Sequence, residues 1–274
     1  KAARDCIRLA LNSSKLKKDA ISMIGSGKLQ AADIALVVSL LQSGDVKPWQ
    51  CATLSYGKRM AHLEAKDILP LLRELSQNGA EGLLAAIDII TMILHGGREL
   101  TGEILSVLRS VLVDPRLFDA ASQNRMVGHN VERMIALLAR LKLIDHHFSQ
   151  ALIDQLLSIC TPIRADVFHE LSGSVRKSLS VLIKVCPREV WTSISKLLVT
   201  NDYLIRHRID WLVRSEHDDY QGPGFLYAIP EDFYLEWARE DPGNRATIVM
   251  KWLPITVTHE GDNLEWHPAL QSFI

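Results

Sequence analysis

Glu216, His217, Asp218 and Asp219 stand side by side in the stretch RSEHDDYQGPG, Arg214 to Gly224. Carboxylates and an imidazole can ligate a divalent metal. Ligands must converge on one point, however, and four consecutive side chains in a segment broken by Gly222-Pro223-Gly224 do not. The stretch therefore reads as a boundary, with His217 or Asp218 left open to completing a site from elsewhere. In LIDHH, Leu143 to His147, Asp145, His146 and His147 meet at a helix junction. No third histidine follows at i+3 or i+4, and Asp145 is expected as a helix cap. His-Glu pairs stand at His169-Glu170 and His259-Glu260. Neighbours on a helix point about 100° apart, so these read as surface polar residues.

Nucleotide and acyl chemistry lack their signatures. There is no G-x-x-x-x-G-K-[ST], G-x-G-x-x-G or G-x-S-x-G. GSGK, Gly25 to Lys28, lies between two helical segments without the strand a phosphate loop needs, and reads as a turn. No cofactor or metal is expected, no residue is assigned a catalytic role, and whether the chain is an enzyme stays open.

The basic stretch IRHRIDWLVR, Ile205 to Arg214, is the other candidate. Arg206, Arg208 and Arg214 combine cations with Trp211, a composition suited to nucleic acid or to a protein partner. Shorter basic runs lie at Lys15–Lys18, Gly57–Arg59 and Val175–Lys177. The formal net charge is −1, so no global positive field draws in nucleic acid or an anionic membrane.

These residues must be positioned by helices. Of the 274 residues 47% are apolar and 23% charged, ordinary for a soluble globular protein. Helical periodicity runs through Asp33–Gln42, Lys66–Gly79, Ala80–Gly97, Thr101–Pro115, Asn130–Asp145, Phe148–Pro162, Phe168–Pro187 and Arg188–Asn201. Lys66–Gly79 places Ile68, Leu69, Leu71, Leu72 and Leu75 on one stripe, with Pro70 expected in its first turn. Ala80–Gly97 is apolar on nearly every face and is expected to lie between neighbours. Asn130 is expected to cap the helix it opens. Only Ile255–Thr258 reads as strand. No apolar run reaches the ~20 residues of a membrane span. Cys6, Cys51, Cys160 and Cys186 lie far apart and read as small buried hydrophobes in a reducing, cytoplasmic protein.

Similar helix openings recur at Asp67, Glu103, Ala151 and Val190, 36 to 48 residues apart. This pattern resembles the HEAT and armadillo solenoids, whose units run ~40–47 residues. The resemblance covers about Asp33 to Val213 and implies an all-α superhelix of antiparallel helix pairs, each burying the face its neighbour leaves open. Eleven of the seventeen aromatics fall after residue 200. The division expected is therefore a repeat domain, 1–215, and an aromatic-rich capping module, 216–274. In the module Pro230–Asp241 and Asn244–Ile255 read as helices, and Trp266 opens a third.

Two HEAT-like enzyme families share single features. Deoxyhypusine hydroxylases hold two irons with several His-Glu pairs on successive repeats; two pairs, one beyond the repeats, fall short of that. Alkylpurine DNA glycosylases carry Trp, Arg and Asp in a basic cleft, parts that the resemblance would give to Asp210 and Trp211. The segment from Ile229 to Ile255 also resembles the helical tails of large bacterial multidomain proteins, some in anti-phage defence, where an N-terminal domain supplies the activity. The chain starts at Lys1 directly in helical pattern and stops on Ile274, and reads as a piece of a longer polypeptide. The function expected is a non-catalytic helical-repeat scaffold that holds a protein partner or other domains of the same polypeptide. The alternative is a nucleic-acid binder using the Arg206–Arg214 face.

Overall fold

A computed structural model describes residues 6, 9–10, 13, 16, 19–24, 28–97, 99–119, 126–213, 228–251, 256–258 and 264–266. The described chain is helical apart from one small hairpin. It divides into two compact units, Lys1–Met134 and Ile135–Ile274. The boundary expected at residue 215, the Glu216–Asp219 cluster, Gly25–Gly27 and His259-Glu260 lie outside the described residues.

The first unit contains α1 (Ala20–Ile24), α2 (Ala31–Gln42), α3 (Pro48–Cys51) with a 3-10 stretch at Ala52–Lys58, α4 (Ala65–Gln77), α5 (Gly79–His95) and α6 (Gly102–Leu112). Helix α7 (Val127–Arg140) runs across the division. Three helix starts share one device. The backbone N–H groups of Gln30, Lys47 and Glu64 donate to side chains three residues on: Asp33 Oδ2 at 2.8 Å, Gln50 Oε1 at 2.8 Å and Asp67 Oδ2 at 3.0 Å. Each satisfies a donor that the helix itself leaves unpaired.

The expected stripe of α4 is the buried one: Ile68, Leu69, Leu71, Leu72 and Leu75. Pro70, however, lies in the second turn, because the Glu64–Asp67 interaction starts the helix earlier than the apolar periodicity suggests. Pro70 and Lys66, whose carbonyl loses a donor, are both exposed residues. Helix α5 packs on α3, the 3-10 stretch, α4 and α6, which accounts for its apolar circumference. It crosses α4 closely at Gly82, where a Cβ would stand 2.1 Å from the Leu75 carbonyl oxygen. Asn130 is not a cap. Helix α7 begins at Val127, and Asn130 Nδ2 donates to Asp88 Oδ1 of α5 at 2.7 Å. That bond accounts for a carboxylate within an otherwise apolar helix. Helices α2 and α6 both pack against α4.

The second unit contains α8 (His146–Leu157), α9 (Ala165–Leu182), α10 (Pro187–Leu198), α11 (Tyr203–Val213), α12 (Glu231–Glu240) and α13 (Thr247–Met250). Short 3-10 turns, Ser158–Cys160 and Pro162–Arg164, join α8 to α9, and a π-helical turn, Pro242–Ala246, leads into α13. Asn244–Ile255 is therefore not one regular helix: Asp241 Oδ1 and Oδ2 accept from the Asn244 backbone and side-chain nitrogens and hold the chain in a wide turn first. Strand β1 (Thr256–Thr258) pairs antiparallel with β2 (Leu264–Trp266), Thr256 opposite Trp266. The strand expected near Ile255 is present, and Trp266 belongs to its partner rather than to a helix. Helix α10 packs on α8 and α12, while α9 packs on α8 and α11. Trp191 of α10 meets Trp237 and Tyr234 of α12 edge-on, ring centroids 5.6 and 6.5 Å apart. The three rings are buried, a contact favoured by the ring quadrupoles beyond simple area burial.

Candidate partner-binding clefts

Helix α11 carries the residues singled out from sequence, and the structure separates them. Arg206 is exposed. Arg208 is 7% exposed and turned inward. Its Nη1 donates to the carbonyls of Cys160 at 3.2 Å and Thr161 at 2.5 Å, and its guanidinium lies 5.3 Å from the Phe168 ring centroid. It thus occupies carbonyls at the end of the Ser158–Cys160 turn, acceptors that a helix terminus leaves open. Two positions on a helix are about 200° apart, so Arg206 and Arg208 cannot share a face. Trp211 is half-buried. The Arg176 guanidinium covers its ring at 4.4 Å and donates to its carbonyl at 3.0 Å, and Phe168 meets it edge-on. Arg214 lies outside the described residues. The Arg206–Arg214 segment therefore is not one basic face: Arg206 remains at the surface, and Arg208 serves the core.

The histidine clusters resolve into structural roles. Asp145 caps α8, its Oδ1 accepting from the Phe148 N–H at 2.9 Å. His146 Nδ1 lies 2.8 Å from Glu189 Oε1 of α10. That hydrogen bond, aided by the backbone N–H of Glu189 itself, holds the Glu189 carboxyl below the usual carboxylate range. His169 and Glu170 are both exposed on α9. Among the described residues no three His, Cys, Asp or Glu side chains are grouped to hold a metal. Cys6 is exposed, against the expectation that all four cysteines are buried; Cys51, Cys160 and Cys186 are buried free thiols, and burial pushes them up to about 12, 12 and 11. Thiols so raised are poor nucleophiles. None of the described helices is long and apolar enough to cross a membrane.

Two surface clefts adjoin α10, one along its length and one at its C-terminal end. The first, about 350 Å³, runs between α10 and α12. Arg188, Thr192, Lys196 and Val199 recur at helical spacing and line one wall. Phe233, Glu236, Trp237 and Glu240 line the other. Arg188 and Lys196 stand on the α10 wall and Glu236 and Glu240 on the α12 wall, Glu240 being neutralised by Arg245, with Trp191 between them. Arg188 lies 5.6 Å from the Phe233 ring centroid. Arg245 closes the end, 5.2 Å from the Trp237 ring centroid and ion-paired to Glu240. Val199 is 45% exposed at the cleft mouth.

The second cleft, about 300 Å³, lies between α11 and α13 and is lined by Leu198, Tyr203, Arg206, His207, Asp210, Ile248 and Lys251. The first cleft was missed from the sequence. Its signal was there as the i, i+4, i+8 series Arg188, Thr192, Lys196 and the i, i+3, i+4, i+7 series Phe233, Glu236, Trp237, Glu240. What the sequence did not show is that α10 and α12 face each other. The chain matches no protein family, no curated protein and no solved structure.

Proposed function

We propose that this chain is a non-catalytic HEAT-like scaffold that holds a protein segment, from a partner or from another domain of its own polypeptide, in the cleft between α10 and α12. The cleft's arrangement carries the reading: an aromatic floor between a basic wall on α10 and an acidic wall on α12. That layout complements an amphipathic helix with an apolar stripe, an acidic edge and a basic edge. Helix-row packing supports the scaffold half of the proposal. Helices α2, α4 and α6 adjoin in sequence in the first unit, as do α8, α10 and α12 in the second, with α9 on α11 beside them. Alternate helices falling into rows is the packing expected of stacked helix pairs. Buried free thiols fit a reducing, cytoplasmic setting.

Selection of displayed amphipathic helices against the intact chain tests the proposal. Enriched sequences are expected to carry the two charged edges and to lose binding to the Lys196→Glu variant. Enrichment that ignores this substitution would place the partner elsewhere.

A further inference from the structure

The second cleft has a different character. Tyr203 is 71% exposed at its edge. It does not project at random: its ring is stacked on His207, planes 10° apart and centroids 6.0 Å apart. The Tyr203 ring thus has a parallel, offset neighbour in His207 and stays open to solvent. Leu198 and Ile248 form an apolar floor, and the exposed cations Arg206 and Lys251 stand on the two walls, one on α11 and one just past α13. Asp210, one helical turn beyond Arg206, also lines the cleft.

From this geometry we infer that the cleft between α11 and α13 binds single-stranded nucleic acid. A base stacks on the exposed Tyr203 ring, and the phosphates on either side of it meet Arg206 and Lys251. An aromatic platform between cations is what unpaired strands need: every base has a π-face, and the backbone brings a charge at each step. An acidic peptide would use the two cations but would gain little from an aromatic ring held in a stack. A duplex keeps its bases stacked on one another and cannot offer one to Tyr203. The site is separate from the α10–α12 cleft, so it stands or falls independently of the protein-partner proposal.

Fluorescence anisotropy with a labelled homopyrimidine oligonucleotide, using the intact chain, decides it. Saturable binding is expected at low salt. The slope of log K against log salt should lose about 0.7 when Arg206 or Lys251 becomes Ala, the value for one phosphate contact on a single strand. Tyr203→Ala should weaken binding about tenfold and Tyr203→Phe should leave it nearly unchanged, because stacking needs the ring and not the hydroxyl. Tyr203 is exposed, so neither substitution threatens folding. Lys196→Glu, in the other cleft, should leave oligonucleotide binding unchanged. The inference is overturned by any of four results: no saturable binding at low salt, affinity indifferent to Tyr203→Ala, equal competition by polyglutamate, or a duplex or mononucleotide that binds as tightly as the single strand.

Discussion

Arg208 shows how a charged residue can be committed to the core. It gives two donors to the carbonyls of Cys160 and Thr161 and lays its plane over Phe168. Arg208→Ala should lower stability by about 2 to 3 kcal/mol, since it removes charge-assisted bonds and leaves buried carbonyls without that donor. Arg208→Lys should recover only part of the loss, because an ammonium lacks the planar group that lies over Phe168. Urea midpoints for the three proteins check this; equal midpoints would return Arg208 to the surface. The cysteines give a second expectation at this scale. Native protein should leave Cys51, Cys160 and Cys186 unmodified by a thiol reagent at mildly alkaline pH, and all three should react once the chain is unfolded. Burial raises each one, so almost no thiolate is present near pH 8. A sequence cannot show where Arg208 turns. The carbonyls it serves are 48 and 47 residues away, and only the packing of α11 against the turn after α8 brings them together.

Between elements, α8 and α10 are tied by His146–Glu189 at 2.8 Å at the surface and by Gln150 Nε2 donating to the buried Ser193 Oγ at 2.9 Å. The Glu189 carboxyl is lowered by the fold, chiefly by the His146 hydrogen bond. A carboxyl lowered in the native state binds fewer protons there than in the unfolded chain. Its stabilisation is therefore fully present above the unfolded value, about 4.3, and is lost as pH falls through the lower folded value. Glu189→Gln should flatten the acid limb of a stability–pH curve and change little near neutrality. The His146 side chain is 82% exposed, so the effect should stay below about 1 kcal/mol. Denaturant titrations at several pH values check it; an unchanged acid slope would mean that the pair is not held in solution. Elements were also where the sequence was most legible. The stripe Ile68, Leu69, Leu71, Leu72 and Leu75 is read directly because burial follows the helical period. Pro70 and Asn130 were misplaced by a turn or less, for different reasons. Asp67 caps α4 earlier than its apolar residues begin, and Asn130 answers to Asp88 on another helix rather than to its own terminus.

For the whole molecule, the order of apolar and polar residues identified the helical class and the absence of apolar runs long enough for a bilayer, and both are local properties of the sequence. The clefts depend on which helices become neighbours, and composition is silent on that. The chain's near-zero net charge is partitioned locally instead, with a basic and an acidic wall facing each other across the α10–α12 cleft. Opposed walls specify orientation as well as affinity, since a helix inserted backwards meets like charges on both sides. A charge swap exploits this. Calorimetry would compare the wild-type chain with the double variant Lys196→Glu, Glu236→Lys, each against a synthetic amphipathic helix and against its edge-swapped counterpart. Both substituted positions are exposed, so the fold should persist. The account expects one-to-one binding of the first peptide by the wild type, weakened about tenfold in the double variant, with the edge-swapped peptide recovering it. Wild-type protein that binds neither peptide, or a variant that binds both as the wild type does, would contradict a partner held between α10 and α12.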